Sequence, residues 1–397
     1  MTNYLAVERA LRSAAPHALL EAVRNTLVQF YGALAVDLLM ADYSLRVLQP
    51  VTALPHTGQG LAVHASVPGR AFGSQQPQLE AVPGRDGGPD RVVAHLPVTV
   101  RGDRLGVLSV ELPADSAAAP LVAELGQVAS LLGHEIVVAE RDTDVYLQAR
   151  RVARLTLAAE MQWQLLPGRS CARAEYAIGA QLDPAYAIYG DNFDWATTAE
   201  TLTLTITNGM GEGISASLLT NLAVNALRNA RRAGIGIADQ AALADQALYA
   251  QHRGKVHVAS LLMCFELATG QVTAVDAGSP QLWRLRDKAA ERIEFDAQLP
   301  LGMFEETAYA AQSFRVLPGD RLVCVSDGVY DTSSPAGERY GERALARAIV
   351  ASALVPAADV PGAILRELAD YRAADAADDA LVVCLDWTGR NESGTAR

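Results

Sequence analysis

Four short acidic turns in the second half of the chain constrain its fold more than any other feature. Each lies against an apolar, strand-like run; the turns are Gly190-Asp191, Asn208-Gly209-Met210-Gly211, Ser326-Asp327-Gly328 and Asp378-Asp379. If these strand ends converge, they form a pocket whose ligands are all oxygens. Carboxylates and backbone carbonyls without nearby His or Cys favour hard cations, so the turns predict a site for Mg²⁺ or Mn²⁺ rather than for zinc.

Length and charge limit what the protein can be. The chain has 397 residues, half of them apolar, which predicts two domains that each bury a core. Its formal net charge is −12, and Lys and Arg residues are not clustered in any one stretch of the sequence. We expect no nucleic-acid partner, because binding to a phosphate backbone needs a basic track.

The cysteines and the apolar stretches predict a cytoplasmic protein. The four cysteines are widely spaced, and three of them lie in apolar, strand-like runs, where reduced buried thiols are common. The N-terminus lacks a basic segment followed by an apolar one, and Glu, Gln and His interrupt the apolar window Leu121–Ala139. We therefore expect neither secretion nor association with a membrane.

Residues 1–134 have the pattern of a compact α+β domain. Apolar residues recur at helical spacing from about Leu5 to Tyr31, and a second helical stretch begins at Leu121. Four strand-like runs lie between the helices: Ala35–Leu39, Arg46–Pro50, Val92–Val100 and Leu105–Leu112. This order predicts antiparallel strands between two helical segments.

Residues 135–167 are predicted to form a linker helix. The stretch from Glu135 to Leu166 contains no Gly or Pro, and apolar residues recur at intervals of seven, at Val138, Val145, Val152, Ala159 and Leu166. Such a heptad seam is typical of a coiled coil. Two alternatives remain for the seam: it packs onto the protein's own domains, or it joins two chains into a parallel homodimer.

Residues 168–388 are predicted to form the second domain, followed by a flexible tail at residues 389–397. Thr201–Thr207 alternates Thr with apolar residues, as a strand with one buried face does. Further strands are predicted at Val256–Leu267, Gln271–Asp276, Leu282–Arg286, Arg321–Val325 and Ala380–Asp386, and helices at Ser215–Ala233, Ile237–Gln251, Glu342–Ser352 and Val360–Arg372. This grouping indicates packed sheets flanked by helices rather than alternating βαβ units.

The four turns belong to a longer ordered set of motifs. The other members are Ala159-Glu160-Met161-Gln162 with Leu165-Leu166-Pro167, Leu299-Pro300-Leu301-Gly302 and Pro318-Gly319-Asp320. From about Leu155 to Trp387 the order resembles that of SpoIIE-type phosphatases, members of the metal-dependent PPM family of serine/threonine phosphatases. The resemblance implies an αββα sandwich that holds two Mn²⁺ or Mg²⁺ ions, with metal-bound water as the nucleophile instead of a protein side chain.

The resemblance also implies a role for each position of the site. Asp191 would bind one ion, position 208 would bridge both ions, and Gly209 would offer its carbonyl. Asp327 and Asp378 would hold the other ion, with Asp379 as the alternative to Asp378. The first domain is similar to GAF sensor domains by its pattern alone, which implies a small-molecule ligand there and control over the phosphatase.

Three positions depart from the family pattern, and the first is the most consequential. Asn208 replaces the bridging Asp, Glu212 stands where the family has His, and Ser279 replaces another usual His. An Asn oxygen can ligate a cation but carries no charge, and one unit charge at about 4 Å is worth roughly 4 kcal/mol at an effective dielectric of 20. We expect metal affinity to fall by about three orders of magnitude, so that one of the two ions binds weakly.

Two functional hypotheses follow. The first is a phosphatase that removes phosphate from serine or threonine of a phosphorylated regulatory protein, under control of the GAF-like domain. The second is a pseudophosphatase that keeps the fold and binds a phosphoprotein without hydrolysing it. Asn208 is the residue on which the choice between them depends.

Overall fold

The structure of the protein is a computed structural model. It describes residues 2–51, 60–83, 90–184, 186–187, 190–341, 343–372 and 378–390. Residues 391–397 of the predicted tail lie outside these ranges. The chain divides into two compact units, Met1–Arg154 and Leu155–Arg397.

The first unit is built on one antiparallel sheet. Its strands are β1 (Ala35–Ala41), β2 (Val47–Pro50), β3 (Leu61–Ala62), β4 (Gln78–Val82), β5 (Arg91–Val100) and β6 (Asp103–Pro113). In the described residues these six strands are ordered β3-β2-β1-β6-β5-β4. The helices are α1 (Thr2–Ser13), α2 (Leu19–Tyr31), α3 (Val67–Ser74), α4 (Ala119–Ala139) and α5 (Val145–Ala149).

Both faces of this sheet are covered, because successive side chains of a strand point to opposite sides. Leu108 of β6 lies in the core formed with α1, α2 and α4, whereas its neighbour Val107 packs with Phe72 of α3. The predicted α+β arrangement and its four strands are confirmed. Helix α3 and strands β3 and β4 were not predicted from the sequence. The assignment of this unit to the GAF domains stays a prediction.

Helix α4 is the one described helix that is long and apolar enough to cross a membrane. Its buried residues, which include Leu125, Leu132 and Ile136, lie in the same core as strands β5 and β6.

The single linker helix predicted over residues 135–167 is wrong. Helix α4 ends at Ala139, α5 covers five residues, and α6 (Leu157–Leu165) begins a separate helix. The side chain of Thr156 accepts a hydrogen bond from the N–H of Ala159 and so caps α6 at its start.

The chain turns back after α4 because Tyr146 of α5 is buried in the first unit, where its hydroxyl donates to the carbonyl of Pro16 over 3.0 Å. The heptad positions therefore fall on separate elements: Val138 is exposed on α4, and Ala159 is buried on α6. Residues 135–154 belong to the first unit and residues 155–167 to the second. A homodimer through a continuous seam loses its structural basis.

The second unit contains two antiparallel sheets. The strands are β7 (Ser170–Ala172), β8 (Tyr176–Asp183), β9 (Asp191–Thr197), β10 (Thr201–Gly209), β11 (Val258–Glu266), β12 (Gln271–Ala277), β13 (Gln281–Arg286), β14 (Ala289–Ile293), β15 (Gln312–Arg315), β16 (Arg321–Val325) and β17 (Ala380–Trp387). In the described residues the sheets are ordered β15-β12-β11-β10-β9 and β14-β13-β16-β17-β8-β7. We call them the first and the second sheet of this unit.

A pair of helices covers the outer face of each sheet. Helices α7 (Gly213–Arg232) and α8 (Ile237–His252) pack on the first sheet, where Leu219 and Leu248 meet Leu262. Helices α10 (Ala344–Ala351) and α11 (Val360–Tyr371) pack on the second sheet, and the short helix α9 (Asp327–Tyr330) follows β16.

The two sheets also pack on each other. The rings of Phe265 on β11 and Trp387 on β17 are stacked with centroids 5.9 Å apart. Layers therefore follow each other as helices, sheet, sheet and helices, and the predicted αββα sandwich is confirmed.

Candidate metal centre

The ends of β9 and β10 bring the first two acidic turns together. Asp191 and Asn208 are paired residues of the antiparallel ladder, and the N–H of Gly209 donates to the carbonyl of Gly190 over 3.1 Å. A Cβ at Gly190 would lie 2.2 Å from the carbonyl oxygen of Gly209, so only glycine permits this approach. The hydroxyl of Thr220 on α7 donates to the carbonyl of Gly190 over 2.9 Å.

The second sheet supplies the other two turns. The N–H of Ser326, directly after β16, donates to the carbonyl of Leu381, and the N–H of Leu381 donates to Ser326 Oγ over 2.9 Å. These bonds place Asp327 beside Asp378 and Asp379, which precede β17. A Cβ at Gly328 would lie 1.7 Å from the carbonyl oxygen of Asp379, so the two turns are in direct backbone contact.

Asp379 connects the two sheets at this point. Its Oδ2 accepts hydrogen bonds from the backbone N–H of Gly190 over 2.9 Å and of Asp191 over 3.4 Å. Its own N–H donates to Oδ1 of Asp378 over 2.8 Å. Asp379 is buried and Asp378 is exposed, so the two adjacent acids differ in what they can do. Asp379 fixes the turns, and Asp378 is open to the cavity.

A cavity of about 350 Å³ lies above these turns. The acidic turns, the end of β11 and two loops line it, through Gly190, Asn208, Gly209, Met210, Gly211, His257, Ala259, Ser279, Pro300, Asp327 and Asp378. His257 lies in this wall because it directly precedes β11, the partner strand of β10. Oγ of Ser279 is buried, and no described residue forms a hydrogen bond with it.

Burial and mutual repulsion raise the pKa of the site carboxyls. The pKa of Asp191 is raised chiefly by burial and then by Asp379, and a hydrogen bond from Ser326 opposes the shift. Oδ2 of Asp191 is buried and accepts no hydrogen bond from any described residue. A carboxylate in this position lacks a counter-charge.

The two acids nearer the cavity are affected in the same way. Burial and then Asp378 raise the pKa of Asp327, and the N–H of Gly328 opposes this. Burial raises the pKa of Asp378, the N–H of Asp379 lowers it, and the carboxylate of Glu212 raises it. Glu212 thus adds negative charge next to Asp378, where the family has His.

Asn208 is directed at Asp327. Its Nδ2 donates to Oδ1 of Asp327 over 2.5 Å, and the amide nitrogen rather than the amide oxygen faces the carboxylate. Since charged acceptors strengthen hydrogen bonds, this contact partly neutralises Asp327.

The donor chemistry fits a hard cation, but the carboxylates come in pairs. Among the charged neighbours of Asp191, Asp379 raises its pKa most. Among those of Asp327, Asp378 raises its pKa most. Within the described ranges, no group of three or more His, Cys, Asp or Glu side chains is arranged to hold a metal ion. A complete shell would need the amide oxygen of Asn208 or the carbonyl of Gly209 in addition to the carboxylates.

Other polar residues near the site were not identified from the sequence. Oδ1 of Asp245 on α8 accepts from the N–H of Gly302 over 2.7 Å and from the hydroxyl of Tyr309 over 3.1 Å. This fixes the loop that carries Pro300 to the cavity wall. Asp194 is structural, because it accepts hydrogen bonds from Arg228 over 2.7 Å and from Arg231 over 2.9 Å.

Comparison with known proteins agrees with the fold of the second unit. Residues 198–388 match the family model of Stage II sporulation protein E (SpoIIE). The SiaA-PP2C domain of Pseudomonas aeruginosa is similar in structure, with 19% identity, coverage of 58% of this chain and 93% of that chain, and a TM-score of 0.50. No curated protein sequence matches the chain.

Two structures that contain a second domain or a fragment of one are also similar. One holds the PP2C phosphatase domain and a fragment of the regulatory domain of SpoIIE from Bacillus subtilis, with 18% identity, coverage of 55% of this chain and 65% of that chain, and a TM-score of 0.48. The other holds the RsbU and RsbW domains of Rv1364c from Mycobacterium tuberculosis, with 20% identity, coverage of 55% and 61%, and a TM-score of 0.49. The chain thus spans less than two thirds of either one.

The second unit has the fold of a PP2C-type domain. Within that fold, residues 198–388 match a SpoIIE-type domain. Strand β9 with Asp191 precedes the matched residues, so its place in the site rests on the structure.

Proposed function

We propose that the protein is a Mn²⁺- or Mg²⁺-dependent phosphatase that removes phosphate from serine or threonine of a regulatory phosphoprotein. The convergence of four acids from both sheets, of which Asp327 and Asp378 line the cavity and Asp191 and Asp379 are buried beside it, is the observation that carries the proposal. Acids that are buried next to each other raise each other's pKa and need a counter-charge, which divalent cations supply.

Some residues of the site would hold the cations, and another would keep the turns in position. Asp191, Asp327 and Asp378 would hold the cations, together with Oδ1 of Asn208 and the carbonyl of Gly209, and Asp379 would keep the turns in register through its backbone contacts. When bound, the cations supply charge neutralisation for the phosphoryl group and an acidified water as the nucleophile. No side chain of the cavity wall needs to serve as a nucleophile.

The charge of the cavity supports dependence on a cation. Of the eleven residues that line it, His257 is the only one whose side chain can carry a positive charge, against the acids Asp327 and Asp378. A phosphate group would be repelled from this wall unless cations were present.

The surroundings of the cavity favour a protein substrate. Met210 lines the cavity and is 48% exposed, and Ile214 and Leu218 are 49% and 56% exposed at the start of α7. Apolar side chains exposed beside a catalytic cavity are suited to contact a folded partner. We further propose that the first unit acts as a GAF-like regulator that binds a small molecule, and that the protein is cytoplasmic.

Hydrolysis of a phosphoserine peptide or of p-nitrophenyl phosphate, measured with and without millimolar Mn²⁺, tests the proposal. We expect Mn²⁺-dependent turnover that Asp327→Asn reduces by at least about a hundredfold, because the substitution removes one charged ligand. Asp296→Asn, which removes an exposed acid outside the cavity, is the matched control and should hydrolyse at the wild-type rate. Absence of turnover at all Mn²⁺ concentrations would refute the proposal.

A pseudophosphatase is the second candidate, and the hydrogen bond from Asn208 to Asp327 favours it. The amide occupies the position at which a family member has a bridging carboxylate, and it satisfies Asp327 without a cation. A phosphopeptide that binds in the absence of Mn²⁺ and is not hydrolysed in its presence would select this candidate. The acidic wall of the cavity argues against metal-free binding.

A further inference from the structure

Asn208 lies at the end of β10 in the cavity wall, between the two pairs of acids. Its Nδ2 donates to Oδ1 of Asp327 over 2.5 Å, and the N–H of Gly328 donates to the same oxygen over 3.1 Å. Two N–H groups therefore meet the negative charge of Asp327 from within the protein. An internal contact of this kind requires no cation.

An aspartate at position 208 would replace this attraction by a repulsion. Its carboxylate would bring a second charged oxygen to Oδ1 of Asp327, in a cavity wall that already holds Asp378. Only a cation or a shared proton between the oxygens relieves such a contact. The same holds for Asn208 itself if its amide is rotated, because Oδ1 then faces an oxygen at about the same distance.

We propose that Asn208 is a two-position amide that closes the metal centre in the absence of cations. In the closed position Nδ2 donates to Asp327, and in the open position the rotated amide offers Oδ1 to a cation shared with Asp327. The open position rests on the proposed phosphatase function, whereas the closed position stands on the hydrogen bond alone.

The closed position lowers the affinity for the metal and stabilises the metal-free protein. A hydrogen bond to a charged group must break before Asp327 can ligate, which lowers the apparent affinity by about ten- to a hundredfold. In return, the turns keep their positions when divalent cations are scarce. The domain responds to cation concentration without unfolding between its two states.

Thermal unfolding and Mn²⁺ calorimetry on the full chain test the inference. All four tryptophans, Trp163, Trp195, Trp283 and Trp387, lie in the second unit, so Trp fluorescence follows this unit selectively. The variants are Asn208→Asp, which adds a charge, and Asn208→Ala, which removes both amide atoms. Asn225→Asp on the exposed face of α7 is the control, because it makes the same charge change outside the cavity.

In EDTA, we expect the Tm of Asn208→Asp to fall by roughly 3 to 12 °C, because it loses the hydrogen bond to Asp327 and gains a repulsion. Addition of Mn²⁺ should raise its Tm by more than it raises that of the wild type, and its Mn²⁺ affinity should be at least tenfold higher. Asn208→Ala should also lose Tm in EDTA, but its Mn²⁺ affinity should not rise by the about ten- to hundredfold that loss of the hydrogen bond alone would give, because the Oδ1 ligand is lost as well. Asn225→Asp should change neither quantity.

An Asn208→Asp variant that is as stable as the wild type in EDTA would overturn the closed position. An Mn²⁺ affinity of Asn208→Ala that is about ten- to a hundredfold above that of the wild type would overturn the open position, because it would show that no Oδ1 ligand was lost. If Asn208→Asp does not fold without metal, the Tm of Asn208→Ala in EDTA decides, because that variant loses the donor and adds no charge. A wild type that never hydrolyses phosphoesters but shows the expected stabilities would refute the proposed function and leave the closed position intact.

Discussion

Substitution of Gly328 by Ala should separate Asp327 from the acids of the neighbouring turn. The added Cβ would lie 1.7 Å from the carbonyl oxygen of Asp379, 2.6 Å from its carbonyl carbon and 3.3 Å from the N of Ala380. Backbone atoms that begin a strand cannot rotate out of the way as a flexible side chain can. The two turns must therefore move apart by about 1 Å or more to restore ordinary contact distances.

This displacement has two measurable consequences. Overpacking of this kind costs about 1–3 kcal/mol, and for a domain of this size each kcal/mol lowers Tm by roughly 2–4 °C. We expect a decrease in the Tm reported by Trp fluorescence of roughly 2–12 °C. Misplacement of a catalytic group by about 1 Å costs around a hundredfold in rate, so Mn²⁺-dependent hydrolysis should fall by about that factor even at temperatures where the variant is folded.

Gly126→Ala is the matched control. Gly126 lies within α4, and outside this helix no atom of a described residue lies within 4 Å of the Cβ that the substitution would add. Alanine in a helix should leave the tryptophan transition and the rate of hydrolysis unchanged. A Gly328→Ala protein with wild-type Tm and wild-type hydrolysis would refute the argument that direct contact between the turns positions the acids.

Two further predictions concern charge. Asp194→Ala leaves the partly buried guanidinium groups of Arg228 and Arg231 without their carboxylate. Urea unfolding followed by Trp fluorescence should therefore show a free energy of unfolding that is lower by about 3–5 kcal/mol. The control is Asp331→Ala, which removes an exposed ion pair and should change the free energy of unfolding by less than about 1 kcal/mol. Because the folded state raises the pKa of Asp191 above the ordinary carboxyl value of about 4, its contribution to stability is full below that value and is lost as the pH rises through the raised pKa. In EDTA the Tm should therefore fall as the pH rises above the ordinary carboxyl range, and a wild type whose Tm falls no more than that of Asp191→Asn would contradict this assignment.

Strand positions were predicted well where alternation and apolar runs were strong. Thr201–Thr207 lies within β10, and the run Arg321–Val325 is β16. Strands with weaker patterns, such as β8 and β9, were missed, because they depend on neighbouring strands for their hydrogen bonds rather than on their own composition.

The predicted linker helix failed for a specific reason. A heptad spacing describes one surface only if the helix is continuous, and nothing in the spacing itself guarantees continuity. Thr156 offers the backbone a local hydrogen bond that starts a new helix, and burial of Tyr146 holds the preceding segment in the first unit. Both effects depend on contacts outside the heptad pattern.

The sequence by itself determined the kind of chemistry at the site, because glycine and acidic residues at strand ends specify tight turns that carry oxygen ligands. It could not separate Asp378 from Asp379, or say what the amide of Asn208 would face. Those outcomes were decided by the tertiary structure, since two sheets had to pack before one acid became buried against the backbone of Gly190 and the other stayed open to the cavity. The same packing brought Asn208 within hydrogen-bond distance of Asp327, which lies 119 residues away along the chain.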